Sequence, residues 1–283
     1  MMRRPIRWLL VFTALAAPDR GDESPTGGDR AWIEPMLRVH ARFTGRRGTF
    51  AQFGDSITVS MAYWAPLRHR PRGMSPEAQR AFELVTGTML PECWDRWKGP
   101  EYGSDGARTM RWALANVDHW LEKLNPEVAL IMFGSNDLGQ VPLAEYEAST
   151  RAVVRRCLDH GTVVILSTIP PRSGQLERCR AFTESVRRVG RELQVPVVDY
   201  FAAVLERRPD DWDGSQGQFR EVQGDEYQVP TLISRDGVHP SNPRMFAGDY
   251  SEAGLRSSGY VLRNDLTLRA YAEVIRNVLQ PRR

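Results

Sequence analysis

The sequence predicts an α/β fold: one three-layer domain with helices on both faces of a parallel sheet of about five strands. Three observations carry this. VALIMF (Val128–Phe133) and TVVILST (Thr162–Thr168) are continuous apolar runs of strand length, the pattern of strands buried on both faces. Amphipathic stretches of helical length lie between such runs. The alternation then recurs to the C-terminus, which is the signature of βαβ units.

Taken in order, MMRRPIR is basic and WLLVFTALAA is a short apolar stretch. Ala14-Leu15-Ala16 fits a small-residue cleavage site, so residues 1–17 read as an export signal too short to span a bilayer. PDRGDESPTGGDR opens a polar lead-in rich in Gly and Pro, assigned to residues 18–47. The folded domain covers 48–283. TFAQF, after Gly48, is its first strand, and Met61–Asp105 is a long insertion that should hold a further strand. Arg108–Leu124 sets Met110, Leu114, Val117 and Leu121 on one stripe, a helix leading into VALIMF. Ala144–His160 is a helix closed by Gly161, and Leu176–Leu193 follows TVVILST. VPVVDY (Val195–Tyr200) is the last strand. The stretches 207–235 and 242–259 break the rhythm as surface excursions, and Leu266–Leu279 is the final helix.

The formal charge of +3 belongs to the leader: without Arg3, Arg4 and Arg7 the chain is neutral. It therefore gives no ground for a nucleic-acid partner. No cysteine follows the cleavage site, so no lipid anchor or other stable membrane attachment is expected there. Of the three cysteines, Cys157 and Cys179 lie on neighbouring predicted helices and are the pair an exported chain would join, with Cys93 left over. No C-x-x-C motif marks a zinc or thioredoxin-type site. The oligomeric state is not legible.

Ligands in parallel sheets sit beyond the carboxyl ends of the strands, and polar residues gather there. The first strand runs into Gly54-Asp55-Ser56, and VALIMF runs into Gly134-Ser135-Asn136-Asp137. Between them lies Gly103-Ser104-Asp105-Gly106 at a helix start, and later comes Asp236-Gly237-Val238-His239-Pro240. Each has a plain structural explanation, and Ser56 in particular is a good helix N-cap. Together they make an acyl-transfer site. A serine hydroxyl needs a base to take its proton, and the base needs a third group to orient it. His239 is that base and Asp236 that third group. His40 and His119 lie in helix-like segments, His69 in RHRPR and His160 at a helix end, and each is a weaker candidate. The backbone N–H groups of Ser56 and Gly106 and the side-chain amide of Asn136 would serve as oxyanion donors.

These blocks resemble the SGNH hydrolases, the GDSL esterase/lipase superfamily. GDSITVS matches the first block and supplies Ser56, GSDGART the second with Gly106, GSND the third with Asn136, and DGVHP the fourth with Asp236 and His239. The resemblance implies a flavodoxin-like sheet, a Ser-His-Asp triad, a three-donor oxyanion hole and no metal or other cofactor. The chain departs from the pattern at Ser60, where the family often has glycine. Gly103 is an alternative to Gly106. The long gap between the first two blocks implies an added lid or wall.

An α/β-hydrolase would need G-x-S-x-G, which FGDSI is not. A metal-dependent phosphoesterase could recruit Asp55, Asn136, Asp236 and His239, but no further ligand cluster accompanies them. An inactive carbohydrate-binding protein would not need the full set. The expected substrate is a small-molecule or polysaccharide ester, with an O-acetyl ester of carbohydrate preferred and a small or lipid acyl ester as the alternative. Trp64, Trp94 and Trp97, with Trp212, are candidates for stacking on sugar rings or, equally, for packing the insertions onto the sheet.

Overall fold

A computed structural model describes residues 30–69 and 71–280, so the expected export signal lies outside the described residues. The sheet has four strands: β1 (Phe50–Gly54), β2 (Val128–Met132), β3 (Val163–Ser167) and β4 (Val197–Val198). All pair in parallel in the order β1-β2-β3-β4. Every residue of the first three is buried, as the apolar runs of β2 and β3 require, and in β1 the one polar residue, Gln52, is accommodated by donating to the Cys93 carbonyl at 3.2 Å.

Each strand adds on the same side of the last. Right-handed crossovers then stack the connecting helices on one face: α4 (Met110–Leu124), α6 (Leu143–His160) and α7 (Leu176–Leu193) pack side by side. Helices α1 (Ile33–His40), α3 (Pro76–Thr88), α8 (Tyr200–Arg207) and α10 (Gly259–Val274) belong to the opposite layer, α10 at its centre. The short helices α2 (Ser56–Val59) and α5 (Asp137–Gln140) follow β1 and β2 directly, and α9 (Glu252–Ser257) precedes α10.

Four expectations change. The lead-in assigned to 18–47 contains α1, whose Met36 and Val39, with the adjoining Trp32, are buried in the core. The fifth strand is absent among the described residues. Its place beside β1 is taken by a single bridge, in which the Gly54 N–H donates to the Gly103 carbonyl (3.0 Å) and the Asp105 N–H to the Gly54 carbonyl (3.2 Å). A segment of glycine, proline and 3₁₀ turns can pair at one residue but cannot run extended beyond it. Cys157 and Cys179 are separate buried thiols, as is Cys93. Adjacent helices do not bring Cβ atoms to disulfide distance unless the two faces match. The final helix begins at Gly259 rather than Leu266, because Arg263, Asn264 and Asp265 are buried with it and mask its apolar stripe.

Candidate active site

β1 ends at Gly54, opposite Met132 of β2, so Asp55-Ser56 and Gly134–Asp137 emerge at one edge of the sheet. Gly54 is needed for close packing: a Cβ there would lie 2.1 Å from Thr58 Oγ1 and 2.6 Å from the Met132 carbonyl. Asp55, not Ser56, caps α2, its Oδ1 accepting the Ile57 N–H at 3.1 Å. The Ser56 hydroxyl is thereby left for other work, and it lies 2.9 Å from His239 Nε2.

The other ring nitrogen of His239, Nδ1, is 2.6 Å from Asp236 Oδ2. With Nδ1–H donated to the carboxylate, Nε2 is left as the acceptor for the serine proton. Asp236 Oδ1 accepts from the Val238 N–H (2.8 Å), the His239 N–H (2.9 Å) and the Ser234 hydroxyl. Burial alone would raise this carboxyl, but those hydrogen bonds outweigh it and hold it well below the usual carboxylate range. The hydrogen bond to Asp236 raises His239 above its ordinary value, against partial burial. Gly237, at φ +71°, closes the turn where a Cβ would meet Ser173 at 2.6 Å.

Besides the Ser56 N–H, the oxyanion candidates come from the second and third blocks. Asn136 Nδ2 donates to the Arg108 carbonyl at 3.0 Å, tying the third block to the second, and its amide carries a second N–H. Gly106 is exposed, and its N–H donates to Asp105 Oδ1 at 2.9 Å. Gly103, the alternative, forms the bridge to β1 instead, at φ +86° against Phe53.

Of the two readings of the tryptophans, stacking on sugar or packing the insertions, the structure takes the second. Trp64 is 0% and Trp94 5% exposed, stacked on each other at 5.2 Å. Trp97 stacks on Tyr102 at 6.4 Å, and Trp212 is buried. None of them lines the cavity beside Ser56. The insertion 61–105 packs its helix α3 against α10, while its Ala62 lines the cavity at Ser56. Of the family's first block, Ser60 has φ −52°, so the position needs no glycine, and its side chain lines the cavity with Ala62.

The sequence left several residues of the site unnoticed. Buried Arg263 donates to the Ile57 carbonyl (2.7 Å) and to Thr58 Oγ1 (2.9 Å), and lies 3.6 Å from the Tyr63 ring. Lys98 Nζ donates to the carbonyls of Thr58 (2.6 Å), Ser60 (3.3 Å) and Tyr63 (3.2 Å), and burial, with Arg263 nearby, lowers it well below the ordinary lysine value. Asp137 Oδ1 accepts the Met110 N–H (2.9 Å) at the start of α4. Burial pushes Asp137 up to about 7, with Asp55 adding to it, and pushes Asp55 up to about 6. Invariant spacing does not flag an arginine some 200 residues away. The surplus of polar residues on α10 was the available signal.

The sequence model of the GDSL-like lipase/acylhydrolase family matches residues 53–243, which hold all four blocks. The chain belongs to that family. It is a carboxylic ester hydrolase of the SGNH type. A protein of Bacteroides fragilis described as an acylhydrolase aligns at 14% identity and TM-score 0.51 over 88% of this chain and 99% of its own. The esterase EstA from Pseudoalteromonas aligns at 15% identity and TM-score 0.50, over 81% and 98%. An acetyl-xylooligosaccharide esterase from Geobacillus aligns at 18% identity and TM-score 0.46, over 83% and 96%. At these identities the likeness is one of fold. No curated protein matches the sequence.

Proposed function

We propose that this family member cleaves its ester through an acyl-enzyme on Ser56, with His239 as base and Asp236 as its orienting carboxylate. The relay Ser56–His239–Asp236, at 2.9 and 2.6 Å, carries the proposal. Ser56 Oγ attacks the ester carbonyl as its proton passes to His239 Nε2. The tetrahedral oxyanion is held by the Ser56 N–H and Asn136 amide, with Gly106 joining if its N–H turns from Asp105. The imidazolium returns the proton to the departing alcohol. A water, deprotonated by His239, then releases the acid and restores Ser56.

The substrate within this proposal is an O-acetyl ester of a carbohydrate, met after export by the 1–17 leader. The tryptophans lend this no support, being packed inside. What supports it is the cavity of about 390 Å³ at the relay, lined mostly by polar residues (Ser60, Asp225, Gln228, Asn242 and Arg244, beside Ala62 and two tyrosines) rather than by the aliphatic wall a long acyl chain needs. A fluorophosphonate label should attach to Ser56 by peptide mass spectrometry, and Ser56→Ala should lose both label and hydrolysis of 4-nitrophenyl acetate, by about 10⁴-fold or more in kcat. Unchanged turnover by Ser56→Ala would end the acyl-enzyme proposal. Faster hydrolysis of octanoyl than acetyl esters would end the carbohydrate one.

A further inference from the structure

The far wall of the cavity comes from 207–235 and 242–259, the stretches whose sequence broke the α/β rhythm. Asp225, Tyr227 and Gln228 come from the first, and Asn242 and Arg244 from the second. Tyr227 stands edge-on to the His239 ring at 6.0 Å, so this wall begins at the relay.

The wall is built before any ligand arrives. Gln228 Oε1 accepts the Arg244 backbone N–H at 3.0 Å, while Gln228 Nε2 donates to Asp225 Oδ1 at 3.4 Å. The Asn242 N–H donates to the Tyr227 carbonyl at 2.8 Å, joining the two stretches a second time. Asp225, the single acidic side chain in the lining, also accepts the Tyr227 N–H at 3.0 Å. It is engaged as a cap for the turn Glu226–Gln228.

Arg244 differs. Its backbone is fixed by Gln228, yet its guanidinium is exposed and makes no ion pair or side-chain hydrogen bond with the described residues. Elsewhere in the chain, many arginines are paired with carboxylates, such as Arg111 with Glu145 and Arg188 with Glu147. An acetyl group needs little of a cavity this large, so the remainder accommodates the alcohol half of the ester. A guanidinium there matches a carboxylate by paired, charge-assisted hydrogen bonds.

Building on the esterase reading above, we infer that the alcohol half of the substrate carries a carboxylate bound by Arg244: the enzyme removes acetyl groups from an acidic glycan, one built with uronic acid units.

The test compares the wild type with Arg244→Gln on acetylated oligogalacturonides, acetylated xylo-oligosaccharides of equal length, 4-nitrophenyl acetate and 4-nitrophenyl hemisuccinate. The wild type should prefer the acidic glycan to the neutral one in kcat/KM. That preference ratio should fall about tenfold in Arg244→Gln. It should also weaken in the wild type as salt is raised, since the arginine is exposed. Three results would overturn the inference while leaving the esterase intact: no preference for the acidic glycan, a preference untouched by Arg244→Gln, or an Arg244 effect confined to the hemisuccinate, whose charge is on the acyl half. Inactivity of the wild type on all four esters would overturn the esterase reading and the inference with it.

Discussion

Around Ser56, the turn is held by distant parts of the chain. Arg263 from α10 and Lys98 from the insertion converge on the carbonyls of Ile57, Thr58, Ser60 and Tyr63. Around His239, the turn is held mostly by its own neighbours, Asp236, Ser234 and the N–H groups of Val238 and His239, with one distant bond, the Ser173 N–H donating to the Gly237 carbonyl at 2.8 Å. On the serine side Asp55, Ile57 and Thr58 are fully buried, whereas His239 is half-buried. The difference has a physical origin. A four-residue helix such as α2 leaves its last carbonyls without intrahelical partners, and buried carbonyls must find donors. A loop residue at the cavity rim can use local donors and water. The position of Ser56 is therefore a property of the whole fold, and that of His239 is largely local.

Breaking the local side should cost most in rate and least in stability. Asp236→Asn removes the acceptor that sets the histidine tautomer, and kcat on 4-nitrophenyl acetate should fall by about 10³–10⁴-fold. The melting temperature should move little, because asparagine keeps an oxygen for the backbone N–H groups. A loss under tenfold would mean that Asp236 does not orient His239.

Breaking the distant side should reverse that balance. Arg263→Met strips the Ile57 carbonyl and the Thr58 hydroxyl of a buried partner, which should destabilise the protein by about 1–3 kcal/mol in urea unfolding. The fall in kcat should be smaller than for Asp236→Asn, with KM changed less than kcat. Arg263→Lys, keeping charge but not the fork, should fall between. Wild-type stability in Arg263→Met would show that the serine turn stands without α10.

The smallest effect is a displacement in pH. His239 must be neutral to accept the serine proton, and Asp236 raises it. The acid limb of kcat/KM should therefore have its midpoint above the ordinary histidine value of about 6.5. Protonation switches activity off below it, and activity rises as pH climbs through it. In Asp236→Asn the residual activity should show the limb at lower pH, since the raising anion is gone. A limb that does not move would assign it to another group, Asp55 or Asp137 among them.

Much of the frame was legible from the chain. Strands β2 and β3 announced themselves because a strand covered on both faces is apolar almost throughout, β1 was found as a shorter candidate despite Gln52, and α7 was read to the residue. The relay was legible because chemistry restricts it to few residue types at strand ends. The fifth strand was expected from the fold class and is missing, since a glycine- and proline-rich insertion makes only one bridge to β1. The sequence left the tryptophans open between sugar stacking and packing because exposure is not written locally. Trp64 packs on Phe50 and Tyr271, residues far apart in sequence.

Apolar runs, glycine turns and the order of Ser56, Asn136, Asp236 and His239 are local features, and local features suffice for the fold class and the reaction type. Which base meets Ser56, what holds the carbonyls of its turn, and what fills the wall facing His239 depended on contacts between segments up to about 200 residues apart. Asp55 takes the cap through the Ile57 N–H two residues on, and Ser56 is left to meet His239, which comes from 183 residues further along the chain. Arg244 reaches the cavity because Gln228 and Asn242 bind two irregular stretches together. Burial and pairing are energies of the assembled molecule, so they are set only when the layers close around the sheet.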